Sequence, residues 1–200
     1  DDITDDGKID YTLTNKVPES LRKAIADGKK ILVLINPPYA ESGDTLGSEA
    51  KSDVATTRIS KNMNEYGYAT RELFTQFLVR IGIEMPMATV AMFSTLKYVI
   101  APNFEKFRDA WNAKYLGGFV VHSKAFDGLK GDFPIGFLIW KTNQISSNKT
   151  LITNISTDVL DKKAQAVGAK NFYNQPQTNS LNLWIKRPKA NSTNVIPLKN

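Results

Sequence analysis

Asn36-Pro37-Pro38-Tyr39 puts two rigid carbonyl acceptors and a flat ring within four residues. An exocyclic amine on a heterocycle is a poor nucleophile because its lone pair is delocalised into the ring, and no ordinary side-chain base deprotonates it. Polarisation can activate it instead. Two acceptors at the edge of a pocket each take one N–H, draw the nitrogen toward tetrahedral geometry and aim its lone pair at a methyl donor. Asn36 Oδ1 and the Pro37 carbonyl suit that task. Proline locks φ, so the carbonyl is aimed before the amine arrives, and it brings no competing N–H. Tyr39 offers a face for stacking.

The tetrapeptide closes the apolar run Ile31-Leu32-Val33-Leu34-Ile35. A continuous run of this kind reads as a buried parallel strand, and the two prolines stop it. In open α/β sheets the carboxyl end of such a strand is where ligands bind. A plain polar turn would use the same residue types. A base inside a duplex cannot reach this position, so an adenine amine would have to be flipped out of its stack, which calls for a second aromatic.

The strand followed by Asn36 to Tyr39 resembles the catalytic motif of the N6-adenine DNA methyltransferases of bacterial restriction-modification and phage-defence systems, and the order of elements carries the resemblance over roughly residues 20 to 141. The resemblance implies an α/β fold: a partial Rossmann-like methyltransferase sheet, made of the motif strand and those after it, with flanking helices. It implies S-adenosyl-L-methionine as cosubstrate, double-stranded DNA with a flipped adenine as partner, and the bacterial cytoplasm as location. Asn36, Pro37, Pro38 and Tyr39 become the catalytic residues, with Asn36 also touching the cosubstrate. The family's glycine-rich turn after its first strand, and the acidic residue that follows it, have no match here. The expectation is therefore a target-base half whose donor site belongs to the remainder of a larger polypeptide or a partner subunit. Such a half would be inactive alone, would bind S-adenosylmethionine poorly and would expose the edge of its motif strand. The chain begins at Asp1 without Met, in keeping with a fragment.

The flanking elements are read from periodicity and punctuation. Pro18 to Asp27 predicts a helix closed by Gly28. Residues 40 to 66 predict a long loop, where Lys51, Arg58 and Lys61 would either contact phosphates or stay solvated. Thr70 is expected to cap a helix carrying Leu73, Phe74, Phe77, Leu78 and Ile81. A strand over 87–94, a helix over 103–115 with Phe104, Phe107 and Trp111 buried, and strands over 118–123 and 133–140 follow. The loop between the last two strands holds Phe126, Asp127, Gly128 and Lys130, the last a further expected DNA contact. The resemblance places an aromatic there to stack on the flipped base; Phe126 is the match and Phe133 the alternative.

No Asp or Glu follows Asp161, so residues 162–200 carry +7 and residues 1–161 carry −1 of the net +6. Residues 1–150 are thus expected as the partial catalytic domain. Residues 151–200 are expected as a basic extension or linker toward a target-recognition region, with Lys186, Arg187 and Lys189 as DNA contacts and a short strand at Leu181–Ile185. A single histidine, His122, and no cysteine leave nothing to build a zinc or haem site on, and His122 is expected as a strand residue. At 42% hydrophobic and 23% charged residues the composition is that of a globular domain with no membrane span. Two other readings share the motif. One is methyl transfer to a protein glutamine amide, which is equally planar; the other is a non-catalytic remnant that binds DNA or a partner.

Overall fold

The computed structural model describes residues 4, 10, 12, 17–38, 58–127, 129, 131–143 and 151–174. Helix α1 (Glu19–Ala26) starts after Pro18, whose carbonyl accepts from the Leu21 and Arg22 amides. It ends as predicted at Gly28. With φ at 62°, Gly28 lets its own amide reach Ile25 O (3.0 Å) and the Lys29 amide reach Ala24 O (2.9 Å), closing the last turn. Strand β1 (Leu32–Ile35) follows and stops at the prolines. Residues 39–57 lie outside the described residues, and the rest of the predicted loop is helical: α2 (Arg58–Lys61) and a 3-10 helix (Asn64–Arg71) kinked at Gly67.

Helix α3 (Leu73–Glu84) begins at Glu72 rather than at Thr70. The Thr70 carbonyl, not its hydroxyl, is used: it accepts from Gln76 Nε2 at 2.8 Å, while the Thr75 hydroxyl donates to Glu72 O at 2.7 Å and to Ala69 O. The 3-10 turn ahead of the helix thus takes over the capping role. Strand β2 (Thr89–Thr95), α4 (Lys97–Ile100), a 3-10 turn (Pro102–Phe104) and α5 (Glu105–Ala110) come next. The helix predicted over 103–115 ends five residues early. Asn112 and Asn143 exchange hydrogen bonds (2.8 and 2.9 Å), which ties the chain to the end of the neighbouring strand and turns it into β3 (Ala113–His122). Phe104, Phe107 and Trp111 are nonetheless buried as expected.

β4 (Pro134–Thr142) is a central strand. Two strands appear where an extension was expected: β5 (Asn154–Leu160) and β6 (Ala166–Tyr173) join the same sheet through parallel pairing of Phe119 with Asp158 and Val120 with Val159. The Tyr115 hydroxyl donates to Ser156 O at 3.0 Å across this junction. The sheet order is β1-β2-β4-β3-β5-β6. β1, β2, β3 and β5 run one way, β4 and β6 the other, so four carboxyl ends share one edge with the starts of β4 and β6.

One face of the sheet carries the core. Val90, Met92, Leu138 and Trp140 pack under Phe74, Leu78, Tyr98, Phe107 and Trp111. Trp140 Nε1 donates to the Tyr98 hydroxyl at 2.9 Å, and burial pushes the Tyr98 pKa upward. Arg108 is buried too, yet it is satisfied: Nη1 donates to Ala101 O at 2.8 Å and Tyr98 O at 3.2 Å, fixing the turn between α4 and α5. β3 comes very close to β4. A β-carbon at Gly118 would stand 2.2 Å from the Phe137 carbonyl oxygen, at a φ of +153° that side chains rarely adopt. Gly118→Ala is expected to cost about 2–4 kcal/mol in urea unfolding; a change below about 0.5 kcal/mol would contradict this close packing.

The opposite face presents Leu32, Leu34, Ala91, Phe93, Phe119, Phe137 and Ile139 by strand alternation and register. Among the described residues β1 pairs only with β2, and Leu32 and Leu34 are 69% and 68% exposed. An apolar motif strand therefore stands at an edge. Replacing both leucines by lysine is expected to leave stability within about 0.5 kcal/mol and to lower self-association in sedimentation. A loss of several kcal/mol would mean that they are packed in solution.

Candidate functional site

The edge that gathers the strand tips also gathers the motif. Ile35 pairs with Met92, and Asn36 follows at once, exposed at the tip of β1; Pro37 is buried and Pro38 exposed. Burial of Pro37 restricts the backbone on which its carbonyl is carried. Tyr39 lies outside the described residues.

The adjacent tip belongs to β2. A cavity of ≈ 450 Å³ opens there, lined by Thr95, Leu96, Lys97, Ile100 and Ala101 from the β2–α4 corner and by Phe133 and Pro134 from the start of β4. Its wall is mostly hydrocarbon, and the Oγ1 of Thr95 is itself buried, with no hydrogen-bond partner among the described residues. At the rim Lys97 Nζ meets Glu72 Oε1 at 2.8 Å, so this cation is held against a buried carboxylate.

The two aromatic candidates take different places. Phe126 is half-buried and packs edge-on against Phe93, with ring centroids 5.5 Å apart, extending a cluster that includes Phe119 and Phe137. Phe133 lines the cavity. Its position depends on Ser123, a buried residue that motif reasoning passed over: the Ser123 amide donates to Phe133 O at 2.9 Å, and its hydroxyl donates to Gly131 O at 2.7 Å. Ser123 staples both ends of the β3–β4 loop. No sequence signal singles it out, because its partners are eight and ten residues away in sequence and meet only when the hairpin closes.

His122 ends β3, as a strand residue, and is exposed. Its Nδ1 accepts from the Lys124 amide at 3.1 Å, its Nε2 stands 3.4 Å from Asp132 Oδ1, and Lys124 Nζ is 2.6 Å from the same oxygen. A second cavity, of ≈ 500 Å³, separates this turn from the β5–β6 turn and is bounded by His122, Lys124, Leu160, Asp161 and Lys162. Asp161 serves its own turn, accepting from the Lys163 and Gln165 amides at 2.8 and 2.9 Å.

Of the expected phosphate contacts, Arg58 and Lys61 bound α2. Lys51, Lys130, Lys186, Arg187 and Lys189 lie outside the described residues, as does the expected strand at 181–185. Among the described residues no group of three or more metal-ligating side chains occurs, and no helix is long and apolar enough to cross a membrane.

No protein-family model matches the chain, and no curated protein matches it. Solved structures do resemble it. A DrdV–DNA complex superposes with a TM-score of 0.45 at 12% identity, covering 82% of this chain and 17% of that one. A nuclease-deletion mutant of the Type ISP restriction-modification enzyme LlaGI, bound to a DNA substrate mimic, gives 0.45 at 13% identity, covering 80% and 16%. The M protein of the Type I restriction enzyme EcoKI gives 0.36 at 12% identity, covering 68% and 26%. The chain thus spans under a third of the length of each.

Proposed function

We propose that this chain is the target-base half of an S-adenosylmethionine-dependent DNA adenine N6-methyltransferase of restriction-modification type. The observation that carries the reading is that Asn36-Pro37 stand at the tip of β1, the strand paired with β2, at whose own tip a mostly apolar cavity with Phe133 in its wall opens. A flipped adenine enters that cavity. Its amino group gives one N–H to Asn36 Oδ1 and the other to the Pro37 carbonyl, which localises the nitrogen lone pair. Tyr39 stacks on one face of the ring. The cavity favours Phe133 for the opposite face, with Phe126 buttressing the sheet through Phe93. Apolar walls exclude water and strengthen both hydrogen bonds. S-adenosylmethionine supplies an electrophilic methyl group, and its site belongs to a segment or subunit that pairs with the exposed edge of β1. Lys51, Arg58, Lys61, Lys130, Lys186, Arg187 and Lys189 supply the counter-charge for the phosphates around the flipped base.

Calorimetric titration of S-adenosylmethionine into this chain and into the longest natural form of the protein tests this division of labour. Binding by the long form alone is expected. Tight binding by this chain would contradict it.

A further inference from the structure

Thr95 is the last residue of β2, and its hydroxyl is buried with no partner among the described residues, on a residue that lines a mostly apolar cavity. Buried polar groups are nearly always paired, because an unmade hydrogen bond costs more than a made one returns. Valine has almost the same shape, suits a strand better and would fill the site without an orphan atom. A hydroxyl retained there is explained by a partner that arrives with a ligand. Threonine populates more than one χ1 well, and one rotation exchanges its methyl and hydroxyl on the cavity wall. Strand alternation sets Thr95 on the same face as Phe93, two residues from the position level with Asn36.

Resting on the base-binding reading above, we infer that Thr95 is a specificity-determining residue that reads the ring edge of the bound base. Asn36 and the Pro37 carbonyl accept from the exocyclic amine, so they report only that an amine is present. The Thr95 hydroxyl donates to a ring nitrogen, and so distinguishes adenine from a planar ring that offers a C–H at that point. A base lacking the acceptor leaves the hydroxyl buried and unpaired, which is how a polar pocket rejects a near-isostere.

Adenosine, 1-deazaadenosine and 7-deazaadenosine are the probes, titrated by NMR into the longest natural form and its Thr95→Val and Thr95→Ser variants. The wild-type protein is expected to bind one deaza analogue about tenfold more weakly than adenosine, as one lost hydrogen bond implies. Thr95→Val should erase that difference by weakening adenosine to the level of the analogue, with an unfolding midpoint unchanged or raised. Thr95→Ser should keep the difference. If Thr95→Val binds all three nucleosides as the wild type does, the inference is overturned while the base-binding reading stands. If adenosine affinity is instead unaffected by Phe133→Ala, the base-binding reading falls and this inference falls with it.

Discussion

Asn36→Ala will lower methyl transfer by the longest natural form at least about 100-fold, with the loss in kcat rather than in KM. The size follows from removing one preorganised hydrogen-bonding group aimed at charge that develops in the transition state, for which losses of roughly 10² to 10³ are usual. The ground-state amine interacts weakly with Asn36 Oδ1. Only as the nitrogen becomes tetrahedral and positive do its N–H groups become strong donors, so the interaction is made chiefly where it accelerates the reaction. The residue is exposed and lies beyond the last paired position of β1, and far-ultraviolet circular dichroism of the variant checks that the fold is kept. Steady-state kinetics with a tritiated methyl donor read the effect. A loss confined to KM would assign Asn36 to binding rather than to activation.

Trp140→Ala is expected to cost about 3–5 kcal/mol, enough to unfold much of the chain at ambient temperature. Trp140 is 1% exposed near the C-terminal end of the central strand β4. Its ring lies 5.4 Å from Trp111, 5.9 Å from Tyr98 and 5.1 Å from Tyr115, each at a tilted or edge-on angle that aromatic quadrupoles favour. It thereby joins α4, α5 and β3 to the sheet, and no neighbouring side chain is free to collapse into the space it would leave. Trp140→Phe keeps most of the volume but loses the bond to the Tyr98 hydroxyl, and should cost about 1–3 kcal/mol. Urea unfolding followed by circular dichroism measures both. Equal effects from the two variants would place the stabilisation in the hydrogen bond instead of the packing.

What could be read in advance divides along the range of the forces involved. The strand before Asn36 was legible because five consecutive apolar residues and two prolines are local signals; its expected burial was not met, since among the described residues it pairs on one side only and none of its residues is buried. The strands β2 and β4 and the burial of Phe104, Phe107 and Trp111 were legible for the same reason. The helix start at Glu72 was not, since Thr70 looks like a cap until the preceding 3-10 turn takes its carbonyl. The early end of α5 depends on Asn143, thirty-one residues away from Asn112. β5 and β6 were not legible as strands: in β6 only Phe172 is buried, and backbone pairing carries the rest. At the site, the chemistry of Asn36 and Pro37 was written in their types. Ser123 and Thr95 were invisible, since an isolated hydroxyl gains meaning only once the fold has brought a loop or a cavity to it.

Nucleoside mass spectrometry on DNA hydrolysed after incubation with S-adenosylmethionine and the longest natural form tests the central claim most directly. N6-methyldeoxyadenosine should accumulate with the wild-type protein and be absent with the Asn36→Ala variant. Unmodified deoxyadenosine from an active preparation, with the methyl group recovered instead on a protein glutamine amide, would contradict the DNA reading.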